Sequence, residues 1–186
     1  MDYSKLGFET RQIHAGLNRD DATCSRGNAI YPTAAYRFPT CEYAADLFEL
    51  TQPGNIYTRL QNPTNSAYEE RVAALYGGVG AVATSSGMAA TLVAVTMLAS
   101  KGDNIVASPF LYGGTYNLFR HTLPRLGIEV KIAPEANAEA IGALIDDRTR
   151  AVFAESMGNP TCAVPDLAAI AAVTAEKGVP FIVDNT

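Results

Sequence analysis

The sequence predicts an α/β fold, a mostly parallel sheet with helices on both faces, preceded by an N-terminal arm. Three observations lead there. From Thr64 onward, helical patterns alternate with short apolar runs, the order that strand–helix–strand units require. The apolar runs carry few polar interruptions, as strands covered on both faces must. Polar, aromatic or glycine residues follow the carboxyl end of each run, where open parallel sheets hold their ligands.

Residues 1–63 stand apart from this alternation. They hold turn residues, extended pieces and one short helical pattern at 42–50, and read as an arm that contacts a partner subunit. The domain proper runs over 64–186. Its first helix is expected at 65–76, with Glu69 and Glu70 near its start and Gly77-Gly78 stopping it. A short apolar strand is expected at 79–84, then a buried helix at 87–99 ended by Gly102. Strands at 104–108, 128–133, 150–155 and 179–184 follow. Between them fall helices at 115–126, bent or interrupted at Pro124, at 138–146, and at 166–177. In the last, Asp166 is the expected N-cap and Gly178 lies past the end. The chain stops two residues after the last strand, at the expected working edge of the sheet, which reads as the end of a piece of a longer protein.

The composition narrows the function. The formal charge is -5, and lysines and arginines are scattered, which disfavours nucleic acid or an anionic membrane as partner. Cys24, Cys41 and Cys162 are odd in number and form no C-x-x-C pair, so neither a disulfide framework nor a zinc site is indicated; a reducing, cytoplasmic setting is expected. With two histidines, His14 and His121, no metal site is expected. The most apolar run, 87–99, makes a helix of about 20 Å, short of the ~30 Å hydrocarbon core of a bilayer.

Chemistry gathers at the strand ends. Ser85-Ser86-Gly87-Met88 opens a helix, where free N–H groups and the helix dipole favour an anion; alone, it also fits an ordinary capped helix start. The dipole contributes only about 0.3–1 kcal/mol for an exposed charge, so a phosphate there needs a cation as well, and Arg59 is the best candidate. Asp184 ends an apolar strand, where a carboxylate is costly unless it meets a cation or several donors. Tyr112, beside Gly113 and Gly114, suits stacking on a flat ring. Glu155 and Asn159 stand ready to orient ring substituents, although Asn-Pro is equally a turn signal. Gly78-x-Gly80-x-x-Ala83 mimics a dinucleotide fingerprint, but that fingerprint must follow a strand and open a helix. Here it follows a helix. His14 reads as structural, and Cys162 as a small apolar filler.

Six segments in order resemble the Cys/Met-metabolism family of pyridoxal-5′-phosphate (PLP) enzymes, of the aspartate-aminotransferase-like fold. They are TRQIHAG at 10–16, YTRLQNPTN at 57–65, SSGM at 85–88, LYGGTYNLF at 111–119, ESMGNP at 155–160 and VDNT at 183–186. The resemblance implies PLP as cofactor, its phosphate bound by Gly87 and Met88 with Ser86 adjacent. It implies that Tyr57 and Arg59 reach the phosphate held by a neighbouring subunit, making a homodimer the minimal active unit and a homotetramer the expected assembly. Tyr112 stacks on the ring and, with Tyr57, is a catalytic candidate. Asn159 lies near the ring hydroxyl, Asp184 pairs with the ring nitrogen, and Glu155 supports the others.

The lysine that carries the cofactor in the family has no counterpart, since Lys5, Lys101, Lys131 and Lys177 all lie in other contexts. The 186 residues alone are therefore expected to bind PLP weakly. LYGGTYNLF is similar to the O-acetylhomoserine sulfhydrylase branch, which implies γ-replacement on O-acetyl-L-homoserine by sulfide or a thiol. Cystathionine γ-synthase and methionine or cystathionine γ-lyase chemistry are the alternatives. IYPTAAYRF at 30–38 departs from the family pattern at Ala34 and Ala35, where polar contacts are lost.

Overall fold

Four short strands, β1 (Asn104–Ala107), β2 (Glu129–Ile132), β3 (Thr149–Glu155) and β4 (Phe181–Asp184), pair in parallel in the order β2-β1-β3-β4. This computed structural model describes residues 3–17 and 23–186. It divides into two compact units, Met1–Ala83 and Thr84–Thr186, and the sheet lies in the second. Burial follows strand position. β1 and most of β3 are buried on both faces, while the edge strand β2 carries the exposed Glu129 and half-buried Lys131.

Successive side chains of a strand point to opposite faces, and the core divides accordingly. On one face Ile105, Ala107, Ala151 and Phe153 pack with Val95, Leu118, Phe119 and Leu123. On the other, Val106 and Val152 pack with Ile141 and Ile170. The first face is covered by α4 (Gly87–Leu98) and by the helical run 113–125, the second by α7 (Ala138–Gly142) and α8 (Leu167–Glu176). Helices on both faces of a parallel sheet are thus present, as the alternation predicts.

Several elements differ from expectation for identifiable reasons. No strand forms at 79–84, which is irregular and pairs with none of the four strands, leaving Val79 and Val82 exposed. An apolar run becomes a strand only where a neighbour completes its hydrogen bonds. The helix at 87–99 is not buried all round: Thr91, Val95 and Ala99 face inward, while Val93, Met97 and Leu98 are exposed.

The run expected at 115–126 is α5 (Gly113–Asn117), a π-helical turn (Leu118–Thr122) and α6 (Leu123–Arg125). Pro124 has no N–H to give the preceding turn, and its ring crowds the carbonyl four residues back. The ladder widens there, and Leu123 N–H donates to the Leu118 carbonyl five residues back.

α7 stops at Gly142 rather than 146 because the chain beyond it is drawn into a polar network at the amino ends of the strands. Asp146 accepts from Lys131 Nζ at 2.7 Å and from the buried Asn104 Nδ2 at 2.8 Å, while Lys131 also donates to the Leu144 carbonyl at 3.1 Å. Thr149 Oγ1 donates to Asn104 Oδ1 at 2.8 Å. Lys131 first, then Asn104, holds the Asp146 carboxyl well below the usual range.

The first unit contains α1 (Phe8–His14), α2 (Cys41–Phe48) and α3 (Pro63–Tyr76). α1 escapes a sequence reading because it has only seven residues and none is buried. It is fastened to α3 through backbone carbonyls: Arg11 Nη1 donates to Ala74 O at 2.9 Å and Arg71 Nε to Ala15 O at 2.8 Å. Between them Gly16 adopts φ +69, and a Cβ there would sit 2.0 Å from the Ala67 carbonyl oxygen. Gly16→Ala is expected to destabilise this unit by about 2–5 kcal/mol, combining a strained left-handed backbone with a clash against backbone that has little room to move. Urea unfolding of the variant measures it, and a loss below about 1 kcal/mol would contradict this packing.

Candidate functional site

The carboxyl ends of β3 and β4, the loop after β1 and the first turn of α4 meet around one cavity of about 780 Å³. Its lining includes Ser86, Gly87, Met88, Tyr112, Glu155, Asn159 and Asp184. The structure therefore brings together seven of the nine residues named from the sequence: Ser86, Gly87, Met88, Tyr112, Glu155, Asn159 and Asp184. Tyr57 and Arg59 belong to the first unit. They line a separate groove with Ile30, Tyr31, Asn62 and Thr64. Both are exposed, and the Arg59 guanidinium lies 5.2 Å from the centre of the Tyr57 ring, within cation–π range.

Each wall of the cavity has a local cause. Ser86 caps α4, its Oγ accepting from Ala89 N–H at 3.2 Å. The N–H groups of Gly87 and Met88 then open the helix with no acceptor of their own in the first turn. A Cβ on Gly87 would meet nothing within 4 Å, so the glycine is not demanded by packing and leaves its backbone open to the cavity. Across the site, Asp184 ends β4. Its Oδ1 accepts from Thr186 N–H at 3.1 Å and Thr186 Oγ1 at 2.6 Å. Asn159 lies on the loop between β3 and α8, which closes through Gly158 N–H to Ala163 O and Cys162 N–H to Gly158 O, both 2.8 Å.

Tyr112 stands at the amino end of α5, half exposed. Gly114 gives its ring space: a Cβ at 114 would lie 2.6 Å from Tyr112 Cε1 and 3.1 Å from Met88 Sδ. The dipeptide Gly113-Gly114 after an aromatic residue was the available sequence signal, read there as open backbone for ring stacking rather than as the seat of the Tyr112 ring.

Glu155 carries more of the site than its sequence reading suggested. It is buried, pairs in register with Asp184, and accepts the Tyr112 N–H on Oε1 at 2.7 Å. Burial, and to a smaller extent the Asp184 charge, push its carboxyl above the usual glutamate range, against the Tyr112 N–H, which pulls it down. Between the ordinary value and the raised one, the folded chain binds more protons than the unfolded chain. Stability should then fall as pH climbs through that window, and Glu155→Gln should remove this slope. Unfolding midpoints measured across the acid range test it; equal slopes in both proteins would contradict it.

Cys162 is no apolar filler. It is exposed, lines the cavity and adopts φ 55 in the tight turn after Asn159-Pro160. The fingerprint at Gly78–Ala83 follows α3 rather than a strand, so the nucleotide reading lacks its required context.

The comparisons agree with the cavity's composition. O-acetyl-L-homoserine sulfhydrylase 1 of Thermus thermophilus is 53% identical over 182 residues, covering 97% of this chain and 43% of that protein. Homocysteine synthase of Schizosaccharomyces pombe is 51% identical over 179 residues, covering 96% and 42%. The chain thus spans less than half the length of the curated relatives it matches. A crystal structure of a Campylobacter jejuni protein assigned as an O-acetylhomoserine (thiol)-lyase, with N'-pyridoxyl-lysine-5'-monophosphate, superposes with a TM-score of 0.93 at 37% identity, covering 98% of this chain and 45% of that one. The profile of one family matches residues 9–186, and with the fold and the strand-tip cavity in agreement, the chain belongs to the Cys/Met metabolism PLP-dependent enzymes.

Proposed function

We propose that the complete enzyme containing this chain catalyses γ-replacement on O-acetyl-L-homoserine with sulfide or a thiol, releasing acetate and giving homocysteine or methionine. The carrying observation is the convergence of the α4 amino end, Tyr112, Asn159 and Asp184 on one cavity, taken with relatives named for this activity at about half identity.

The lining fits PLP. An open helix start suits a phosphate, an aromatic side chain over two glycines suits a flat ring, and a strand-tip carboxylate suits a protonated ring nitrogen. PLP, when bound, supplies the electron sink for the reaction. In this reading the N–H groups of Gly87 and Met88, with Ser86, hold the phosphate. Tyr112 covers the ring face, Asn159 orients the ring hydroxyl, and Asp184 keeps the ring nitrogen protonated.

Among the described residues no lysine or arginine lines the cavity, so phosphate charge calls for a cation from elsewhere. Arg59 of a second copy, with Tyr57 beside it, is proposed to supply that contact, which makes a homodimer the smallest active unit and a homotetramer the expected assembly. Tyr112 and Tyr57 are the candidates for moving protons at the substrate. Among the described residues no helix is long and apolar enough to cross a membrane, and a cytoplasmic setting is proposed.

The test is product analysis of the complete enzyme with PLP, O-acetyl-L-homoserine and sulfide. Homocysteine and acetate are the expected products. Cystathionine formed from added cysteine, or breakdown of methionine or cystathionine, without homocysteine would assign it instead to the synthase or lyase branches.

A further inference from the structure

We propose that Glu155 is a positioning residue whose buried carboxylate grips the backbone N–H of Tyr112 and thereby sets where the Tyr112 ring stands at the cavity. The proposal deepens the reading above, in which that ring covers the cofactor.

The geometry carries it. Tyr112 sits at the corner where the loop after β1 turns into α5, and its N–H precedes the helix. The acceptor comes from β3, 43 residues away in sequence, at 2.7 Å, the short distance typical of bonds to a charged oxygen. Glu155 is 7% exposed whereas Tyr112 is 52% exposed, so the backbone that carries the exposed ring is held by a side chain that can itself scarcely move.

A second contact fixes the other end of the residue, because the ring rests where a Cβ of residue 114 would be, 2.6 Å from Cε1. Backbone anchor and glycine seat together define one placement. Burying a carboxylate is costly, and none of the ion pairs among the described residues includes Glu155. The neighbouring Asp184 in the β3–β4 register adds repulsion. A carboxylate kept at that cost, with a backbone donor from another loop as its bond partner, is explained by what it holds.

The experiment is hydrogen exchange at the Tyr112 amide in the complete enzyme freed of its cofactor, for wild type, E155D and E155Q, with the Phe119 amide as internal reference. Dissociation of PLP from the loaded protein is followed in parallel by its fluorescence. E155D keeps the charge but is one methylene too short to reach, and should speed Tyr112 exchange more than about tenfold. E155Q keeps length and an acceptor, and should speed it only about threefold, since a neutral acceptor is weaker. PLP release should follow the same order, with the glutamine variant the closer to wild type.

Unchanged Tyr112 exchange in both variants, or equal acceleration of the Phe119 amide, overturns the proposal. Should E155D not fold, E155Q alone decides, equal rates to wild type being the overturning result. If the amide responds as expected but PLP binds none of the three proteins, the proposed cofactor reading fails and the positioning role stands.

Discussion

Replacing Asp184 with alanine is expected to weaken PLP binding to the complete enzyme by about ten- to a hundredfold while leaving the fold in place. A hydrogen bond to a charged group is worth about 1.5–3 kcal/mol, and each 1.4 kcal/mol is about a factor of ten in affinity. The fold should survive because the Asp184 side-chain hydrogen bonds reach only Thr186, two residues on. Asp184→Asn separates shape from charge: the amide fills the same space but cannot hold a ring nitrogen in its protonated form, so turnover should fall more than affinity. Equilibrium titration with PLP and steady-state rates on both variants measure this. An alanine variant with wild-type affinity would remove Asp184 from the ring-nitrogen role.

Phe119→Ala carries the largest expected stability loss, about 3–5 kcal/mol, a large share of the 5–15 kcal/mol typical of a whole domain. Phe119 is fully buried and meets Phe153 edge-to-face, with centroids 5.0 Å apart and planes at 85°. Such ring pairs add about 0.5–1.5 kcal/mol beyond area burial. The effect should reach the site, since Phe119 lies on the helical run that begins beside Tyr112 and Phe153 lies two residues before Glu155 on β3. Met97→Ala, on the exposed side of α4, serves as the control and should stay within about 0.5 kcal/mol. Urea unfolding of the two variants makes the comparison; a Phe119→Ala loss no greater than that of Met97→Ala would contradict the core.

The residues that announced themselves in sequence are those whose chemistry is local. Ser86 and Asp166 read as helix caps and are caps, accepting from Ala89 and Ala169 N–H groups. Asp184, Tyr112 and Asn159 were legible because each ends or follows an apolar run. Glu155 was legible only as a bystander, for its bond to Tyr112 crosses from one strand tip to another loop and leaves no short-range pattern. Gly114 was read as open backbone for ring stacking and not as the seat of the Tyr112 ring, since the atom its Cβ would strike belongs to a side chain two residues away whose direction no sequence rule supplies. The run at 79–84 was misread for the complementary reason: its composition suits a strand, but a strand needs a partner, and the run pairs with none of the four strands.

Local patterning by itself determined the α/β class, the strand and helix order from residue 87 onward, the helix caps and the loops that carry polar groups, because hydrophobic period and cap chemistry act over a few residues. The tertiary structure alone decided that β1 and β3 lie between β2 and β4, where α7 ends, and that Glu155 takes the Tyr112 N–H. Those outcomes depend on which distant groups compete for the same space and the same hydrogen bonds, and that competition is settled only when the sheet has assembled.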